Sequence, residues 1–253
     1  MNRVNPLFAI IYEDDDLLVI NKPAGLVCHP TKGDEYSSLI SRIRLHLGPD
    51  SSAHLINRLD RETSGVVLAA KNAVTAGELG KILESRAVTK EYLAIVHGHV
   101  AAEQGTVEAP LGKDIHSFVA IKDCVRSDGA LARTDYWVER RFSRPVRPGA
   151  EDGPATPFSL LRVVPLTGRK HQIRIHLAHL GHPLVGDKLY GGDPDLYLAL
   201  VESRLTLEQR ARLIFENHAL HARALRFEWR GDASRPCHNV AEESNPGKCR
   251  PRA

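Results

Sequence analysis

One carboxylate stands among cations and hydroxyls between two apolar segments. The run Asn57-Arg58-Leu59-Asp60-Arg61-Glu62-Thr63-Ser64-Gly65 leads directly into Val66-Val67-Leu68-Ala69-Ala70. A carboxylate kept ionised in a site closed to water can act as a nucleophile or as a base, and a nearby guanidinium favours its charge. Thr63-Ser64-Gly65 lets the chain bend, and the apolar run after it reads as a buried strand that holds the turn still. Taken alone, the same residues also fit an Asp that accepts hydrogen bonds from its own turn amides.

A second chemically dense stretch runs from Leu166 to Gly191 and contains Thr167-Gly168-Arg169-Lys170-His171-Gln172-Ile173-Arg174-Ile175-His176. Between Arg169 and His182 it carries three fixed positive charges and four histidines with no acid among them, whereas Glu13-Asp14-Asp15-Asp16 concentrates negative charge near the start. A basic groove beside a more acidic remainder is the footprint of a protein that follows a phosphate backbone, and a solvated basic surface is the competing reading. His176 and His179 would share a helix face. Without companion acids or a His-Glu-x-x-His pattern they read as contact or packing residues, and no metal is expected.

These two segments need elements to hold them. Phe8 to Tyr12 and Leu17 to Ile20 are apolar runs split by an acidic turn, which predicts a hairpin ended by Lys22-Pro23-Ala24-Gly25. Apolar spacing predicts helices over Ser37 to Leu47, stopped by Gly48-Pro49, over Ala73 to Glu84, and over Thr206 to Phe215. Thr89 to Val100 reads as a strand with a glycine kink. Leu131 to Val138 and Phe158 to Pro165 read as a strand pair, with Phe142 to Pro157 taken as a loop, and His221 to Trp229 alternates as a further strand. Strands outnumber helices and short turns join many of them, so the expected fold is α+β on a mostly antiparallel mixed sheet flanked by helices. Residues 8–230 are read as one domain, and 231–253, poor in apolar residues, as a frayed flexible tail.

At 253 residues with 42% apolar and 26% charged content, the chain belongs with ordinary globular proteins and can bury a sizeable core. No stretch approaches the roughly 18 consecutive apolar residues of a membrane span, and the first residues lack a signal-peptide core, so a cytoplasmic location is expected. Cys28, Cys124, Cys237 and Cys249 have no paired spacing, which points to reduced thiols. The formal charge of +3 is too small to announce a nucleic acid partner by itself.

The motifs together resemble the RluA-type pseudouridine synthases. Arg58-Leu59-Asp60 with Thr63-Ser64-Gly65 matches that family's Arg-Leu-Asp-x-x-Thr-Ser-Gly, Lys90-Glu91-Tyr92-Leu93-Ala94 matches its Lys-x-Tyr-x-Ala strand, and Thr167 to His176 matches its Thr-Gly-Arg-x-His-Gln-Ile-Arg-x-His segment. The similarity extends from the Glu13-to-Gly25 hairpin through His221-Ala222. The resemblance implies the pseudouridine synthase fold, a cleft across the sheet, and Asp60, Tyr92 and Arg174 as the catalytic set. It also implies an RNA substrate, ribosomal or transfer, contacted by Arg58, Arg61, Arg169, Lys170 and His171, with no cofactor and no metal.

Asp60 would then attack the sugar, add to the uracil ring, or assist loss of a ribose proton; residue types leave the three open. Tyr92 is suited to stack on an unstacked uracil and to exchange a proton, Arg174 to pair with the acid, and Arg58 to hold the gap left by a flipped nucleotide. The chain departs from the family in having Asn57 where His is common and Lys188 where Pro is frequent, and the N-terminal S4-type module of many relatives is not expected. Two other functions stay in view: a non-catalytic RNA-binding protein with the same cleft, and a carboxylate-based glycosidase or nucleoside hydrolase, which would ordinarily need a second acid or a metal. The protein is expected to act as a monomer.

Overall fold

An acidic loop sets the first elements. The Asp14 carboxylate accepts from the backbone N–H of Asp16 and Leu17 at 2.9 and 2.6 Å, closing the turn between β1 (Ala9–Glu13) and β2 (Leu17–Lys22) as the sequence predicts. In this computed structural model the described residues are 8–30, 37–48, 51–146, 154–193, 195–232 and 235–242, with side chains described through 229. They fall into two compact units, one drawn from Met1–Lys90 and His221–Ala253, the other from Glu91–Leu220. The sequence reading treats 8–230 as one domain. No Pro/Gly-rich linker marks the division, because the second unit is inserted between two strand-forming segments.

In the first unit, β1, β2, β4 (Ser64–Ala70) and β11 (Leu220–Asp232) lie in that order, with β3 (His54–Leu55) also on β4. β2 runs antiparallel to β4, Leu17 opposite Ala70 and Lys22 opposite Gly65, whereas β11 meets β4 in parallel through His221 and Ala222. Val66 to Ala70 are at most 2% exposed, so β4 is covered on both faces and reads as an unbroken apolar run. Leu79 of α2 (Ala73–Glu84) packs with Leu17, Val19, Val66, Leu68 and Leu225. α1 (Leu39–Leu47) starts where Ser38 caps Ser41 N–H and stops at Gly48, and α2 starts where the Asn72 side chain caps Thr75 N–H at 2.9 Å.

In the second unit, β5 (Thr89–His97), β10 (Thr156–Pro165), β9 (Arg133–Arg144) and β6 (Gln104–Glu108) follow one another, each antiparallel to the next. A separate hairpin joins β7 (Leu111–Lys113) and β8 (Asp123–Val125). α3 (Gln172–His179), α4 (Asp195–Val201) and α5 (Leu207–Leu213) come after β10. Ala94, Val96, Leu161, Val163, Ile173 and Leu177 form the heart of this unit's core.

The α+β class with a mostly antiparallel mixed sheet is what the sequence leads one to expect. Three expectations change. The strand pair is longer, β9 reaching Arg144 and β10 starting at Thr156, so the expected loop from Phe142 to Pro157 is shorter, and residues 147–153 lie outside the described set. The helix expected to reach Phe215 ends at Leu213, where Ile214 has φ 67°, and α4 goes unforeseen because its apolar spacing is irregular. The expected tail is partly strand: β12 (Arg235–Glu242) pairs antiparallel with β11, Ala224 opposite Glu242. An edge strand offers its backbone N–H and C=O groups to any segment that returns beside it, whatever that segment's apolar content. Residues 243–253 lie outside the described set. No helix among the described residues is long and apolar enough to cross a membrane.

Candidate active site

Asp60 sits in an irregular crossing between β3 and β4, closed by a bond from Thr63 N–H to the Asp60 carbonyl at 3.2 Å. Its side chain is half-buried, Leu59 before it is buried, and Arg58 and Arg61 on either side are exposed. The segment is a loop rather than a strand, with Leu59 buried between exposed Arg58 and half-buried Asp60. The turn thus shows an acid and two guanidinium stems to solvent from a fixed backbone.

Three contacts fix that backbone. Lys22 at the end of β2 is 0% exposed, and its ammonium donates to the carbonyls of Pro23, Leu26 and Arg61 at 2.9, 2.8 and 3.1 Å. The Arg61 carbonyl also accepts from Gly25 N–H at 2.9 Å, so the loop after β2 and the acid's turn share one oxygen. Burial draws the Lys22 ammonium down to about 8, against the negative charge of Asp60, which favours its proton. Cys28 lies under the same turn: Leu59 N–H donates to its sulfur and its thiol donates to the Leu59 carbonyl, each at 3.4 Å, and burial pushes the thiol pKa up.

Asn57, which stands where a histidine is common, makes the second contact. Its side-chain amide donates to the Val66 carbonyl at 3.2 Å and accepts from Leu68 N–H at 2.8 Å. Along that edge of β4, β11 pairs at Ser64 and Gly65 and β3 at Ala69 and Ala70, so the amide serves as the missing piece of strand between them. The third contact is a close approach at Gly65. Its φ is 111°, and a Cβ there would fall 2.1 Å from the Ala222 carbonyl oxygen. Only glycine lets β4 and β11 come together directly after the turn.

The second segment builds a different site. Arg174 on α3 is 8% exposed and donates from Nε and Nη2 to the two oxygens of Asp187 at 2.7 and 2.9 Å, with its guanidinium carbon 5.0 Å from the Tyr190 ring centroid. Burial would raise the Asp187 carboxyl, but the Arg174 charge and hydrogen bonds hold it well below the usual range. The same carboxylate accepts from the backbone N–H of Leu189 and Tyr190, which closes the Gly186-to-Gly191 turn. Lys188, where Pro is frequent, is buried and donates to the Glu216 carbonyl at 2.5 Å.

Neighbouring expected residues fall on the same side chains. His171 begins α3 in the left-handed region at φ 54° and its Nδ1 meets the Tyr190 hydroxyl at 2.9 Å, while burial raises the Tyr190 pKa. Lys170 pairs with Asp123 at 2.9 Å, and Arg169 donates to the Leu131 carbonyl at 3.3 Å. Lys170 and Arg169 are exposed. The acid-free appearance of this stretch is therefore a property of the linear sequence, since Asp123 and Asp187 bring compensating charge to it. His176, read as a contact or packing residue, is fully buried and bonded to Thr134 Oγ1 and the Ala109 carbonyl.

Tyr92 lies on β5 opposite Val163, partly buried against the core of the second unit. The structure thus groups Asp60, Arg58 and Arg61 in one unit and Tyr92, Arg169, Lys170, His171 and Arg174 in the other. Sequence reasoning misses Lys22, Asn57, Asp187 and Tyr190 as site residues. A usable signal existed for Asp187, the sole carboxylate between Leu166 and Gly191 in a stretch otherwise cationic.

A family model described as RNA pseudouridylate synthase matches residues 16–179. Two bacterial proteins named ribosomal large subunit pseudouridine synthase D align with the chain. The one from Pseudomonas aeruginosa is 38% identical over 223 residues, covering 87% of this chain and 63% of the relative. The one from Haemophilus ducreyi is 36% identical over 222 residues, covering 87% and 62%. The chain therefore spans less than two thirds of the length of these relatives. Among solved structures, human RNA pseudouridylate synthase domain containing 1 superposes with a TM-score of 0.70 at 25% identity, covering 97% of this chain and 87% of that one.

Proposed function

This chain belongs to the RNA pseudouridylate synthase family, of the RluA type, and from that premise we propose that it isomerises specific uridines of structured RNA to pseudouridine. The observation that carries the proposal is the Asp60 turn: a half-buried acid between exposed arginines, pinned by Lys22, Asn57 and Gly65, inside the matched segment.

The reaction breaks the bond from uracil N1 to the ribose, turns the base, and rejoins it through C5, with no redox partner or phosphate energy required. In this reading Asp60 is the essential carboxylate, acting as nucleophile or base. Arg174 and Tyr92 complete the catalytic set in this reading, Arg174 as its cation and Tyr92 as the ring that stacks on the extruded uracil and exchanges a proton. The target nucleotide must leave its stack at a cost of a few kcal/mol. Exposed Arg58 and Arg61 beside the acid are suited to hold the displaced phosphates, and Arg169, Lys170 and His171 to extend that contact. Of ribosomal and transfer RNA, we favour large-subunit ribosomal RNA, which the names of the two bacterial relatives support. Cytoplasmic location and a monomeric state belong to the same proposal, checked by fractionation and sedimentation.

The deciding experiment maps pseudouridine across total RNA from cells with and without the gene, then restores them with wild type or Asp60→Ala. Sites that vanish and return only with wild type establish both activity and target. An unchanged map, with purified protein that binds RNA without modifying it, would leave a binding protein on this fold.

A further inference from the structure

Arg174 is held on one side by Asp187, but what sets the rotation of the helix that carries it lies on the opposite side. Gln172 and His176 are four residues apart, share a face of α3, and are 4% and 0% exposed. Both reach the same hydroxyl on β9: Gln172 Nε2 lies 2.9 Å and His176 Nδ1 2.8 Å from Thr134 Oγ1.

The direction of every proton in this chain follows from its ends. Gln172 Nε2 also donates to the Arg133 carbonyl at 2.8 Å, while its Oε1 accepts from Thr167 Oγ1 at 2.6 Å and Arg169 N–H at 3.0 Å, so the amide has one orientation and no spare capacity. At the other end His176 Nε2 faces the Ala109 carbonyl at 3.0 Å and must donate to it. His176 Nδ1 is then the acceptor, and Thr134 receives a bond from Gln172 while passing its own proton to His176. Burial lowers the His176 pKa, in keeping with the neutral ring this arrangement requires.

We infer that the Gln172–Thr134–His176 chain positions Arg174 for the reaction, and Thr134, Gln172 and His176 are therefore positioning residues. The inference rests on Arg174 being a working cation of the pseudouridine site. Ile173 and Leu177 present an apolar face to the core, and such contacts tolerate small rotations. Directional hydrogen bonds do not. A side chain carried about 5 Å from the helix axis moves about 1 Å for a turn of roughly 10°, and a 1 Å misplacement can lower a rate about 100-fold.

The test compares Thr134→Val, which keeps the shape and deletes the hydroxyl, with Thr134→Ser, which restores it. Nitrogen NMR follows the Arg174 Nε–H signal, assigned by its disappearance in Arg174→Lys, and steady-state kinetics follows pseudouridine formation. In Thr134→Val the signal shifts, kcat falls about 10- to 100-fold and KM stays within about twofold, the pattern of misplacement without lost binding. Thr134→Ser returns both readouts towards wild type. Gln172→Met, which deletes the amide, carries the same expectation should Thr134→Val not fold. An unmoved Arg174 signal, or a moved signal with unchanged turnover, overturns the inference, even if the unfolding midpoint drops. Wild type that makes no pseudouridine would instead overturn the functional reading, and a signal that still responds to Thr134→Val would support the clamp.

Discussion

The acid's turn and the cation's helix are fixed by different physics. Around Asp60 the restraints are bonds to backbone, from Lys22 to three carbonyls, from Asn57 to β4, and the close approach at Gly65. Around Arg174 the central links join side chain to side chain, a buried ion pair with Asp187 and the Gln172–Thr134–His176 chain, whose ends reach backbone groups. Backbone restraints leave the neighbouring side chains exchangeable. Side-chain restraints demand particular partners.

The sharpest break in this contrast is chemical. Asp60→Asn should lower pseudouridine formation on the order of 10⁴-fold or more while the thermal midpoint stays near wild type, because asparagine keeps the size of the acid and the bonds from Lys22, Asn57 and Gly25 that pin the turn run to backbone groups. A large fall in the midpoint would show that the acid is itself structural.

Next come three substitutions whose first effect should be on stability. Asp187→Ala leaves the Arg174 charge buried without its partner and should destabilise by about 3–5 kcal/mol in urea titration. Gly65→Ala forces a Cβ against the Ala222 carbonyl at a positive φ and should cost about 3 kcal/mol or more. Asn57→Ala is milder, about 1–3 kcal/mol, since it strands the Leu68 N–H and the Val66 carbonyl. Equal effects at Asn57 and Asp187 would erase the distinction between the two regions.

Acid and base separate the regions more gently. The depressed Asp187 carboxyl contributes stability that is complete above its unfolded pKa, near 4, and disappears as pH falls through its folded value. Asp187→Asn should flatten that acid limb. Lys22 works in the opposite sense: with about 8 in the folded protein against 10.5 unfolded, the unfolded chain holds more protons between these values, so this residue makes stability rise with pH there. Lys22→Met should remove the rise in urea titrations taken at pH 8 and 10. An unaltered slope would mean that Lys22 titrates normally.

These physics also explain what the sequence discloses. Asp60, its arginines and Gly65 are contiguous, and the β4 run after them declares itself by apolar content, so turn and strand are legible together. Arg174 is legible as a cation and Asp187 as the sole acid of its stretch, but Thr134 has nothing in its local pattern to mark it. The hairpin β1–β2, α1, α2 and β11 follow from periodicity and caps. The short strands β3, β6, β7 and β8 do not, because a run of two to five residues carries too little period to distinguish it from a loop.

The carbonyl of Arg61 accepts from both Lys22 and Gly25, filling its two lone pairs. Every residue type offers that same oxygen, while the side chain attached to it stands in solvent one position from the acid. Position 61 can therefore change its chemical character over evolutionary time without loosening the scaffold underneath. If the proposed function holds, preference for one RNA over another can drift at that position while the acid stays where it is.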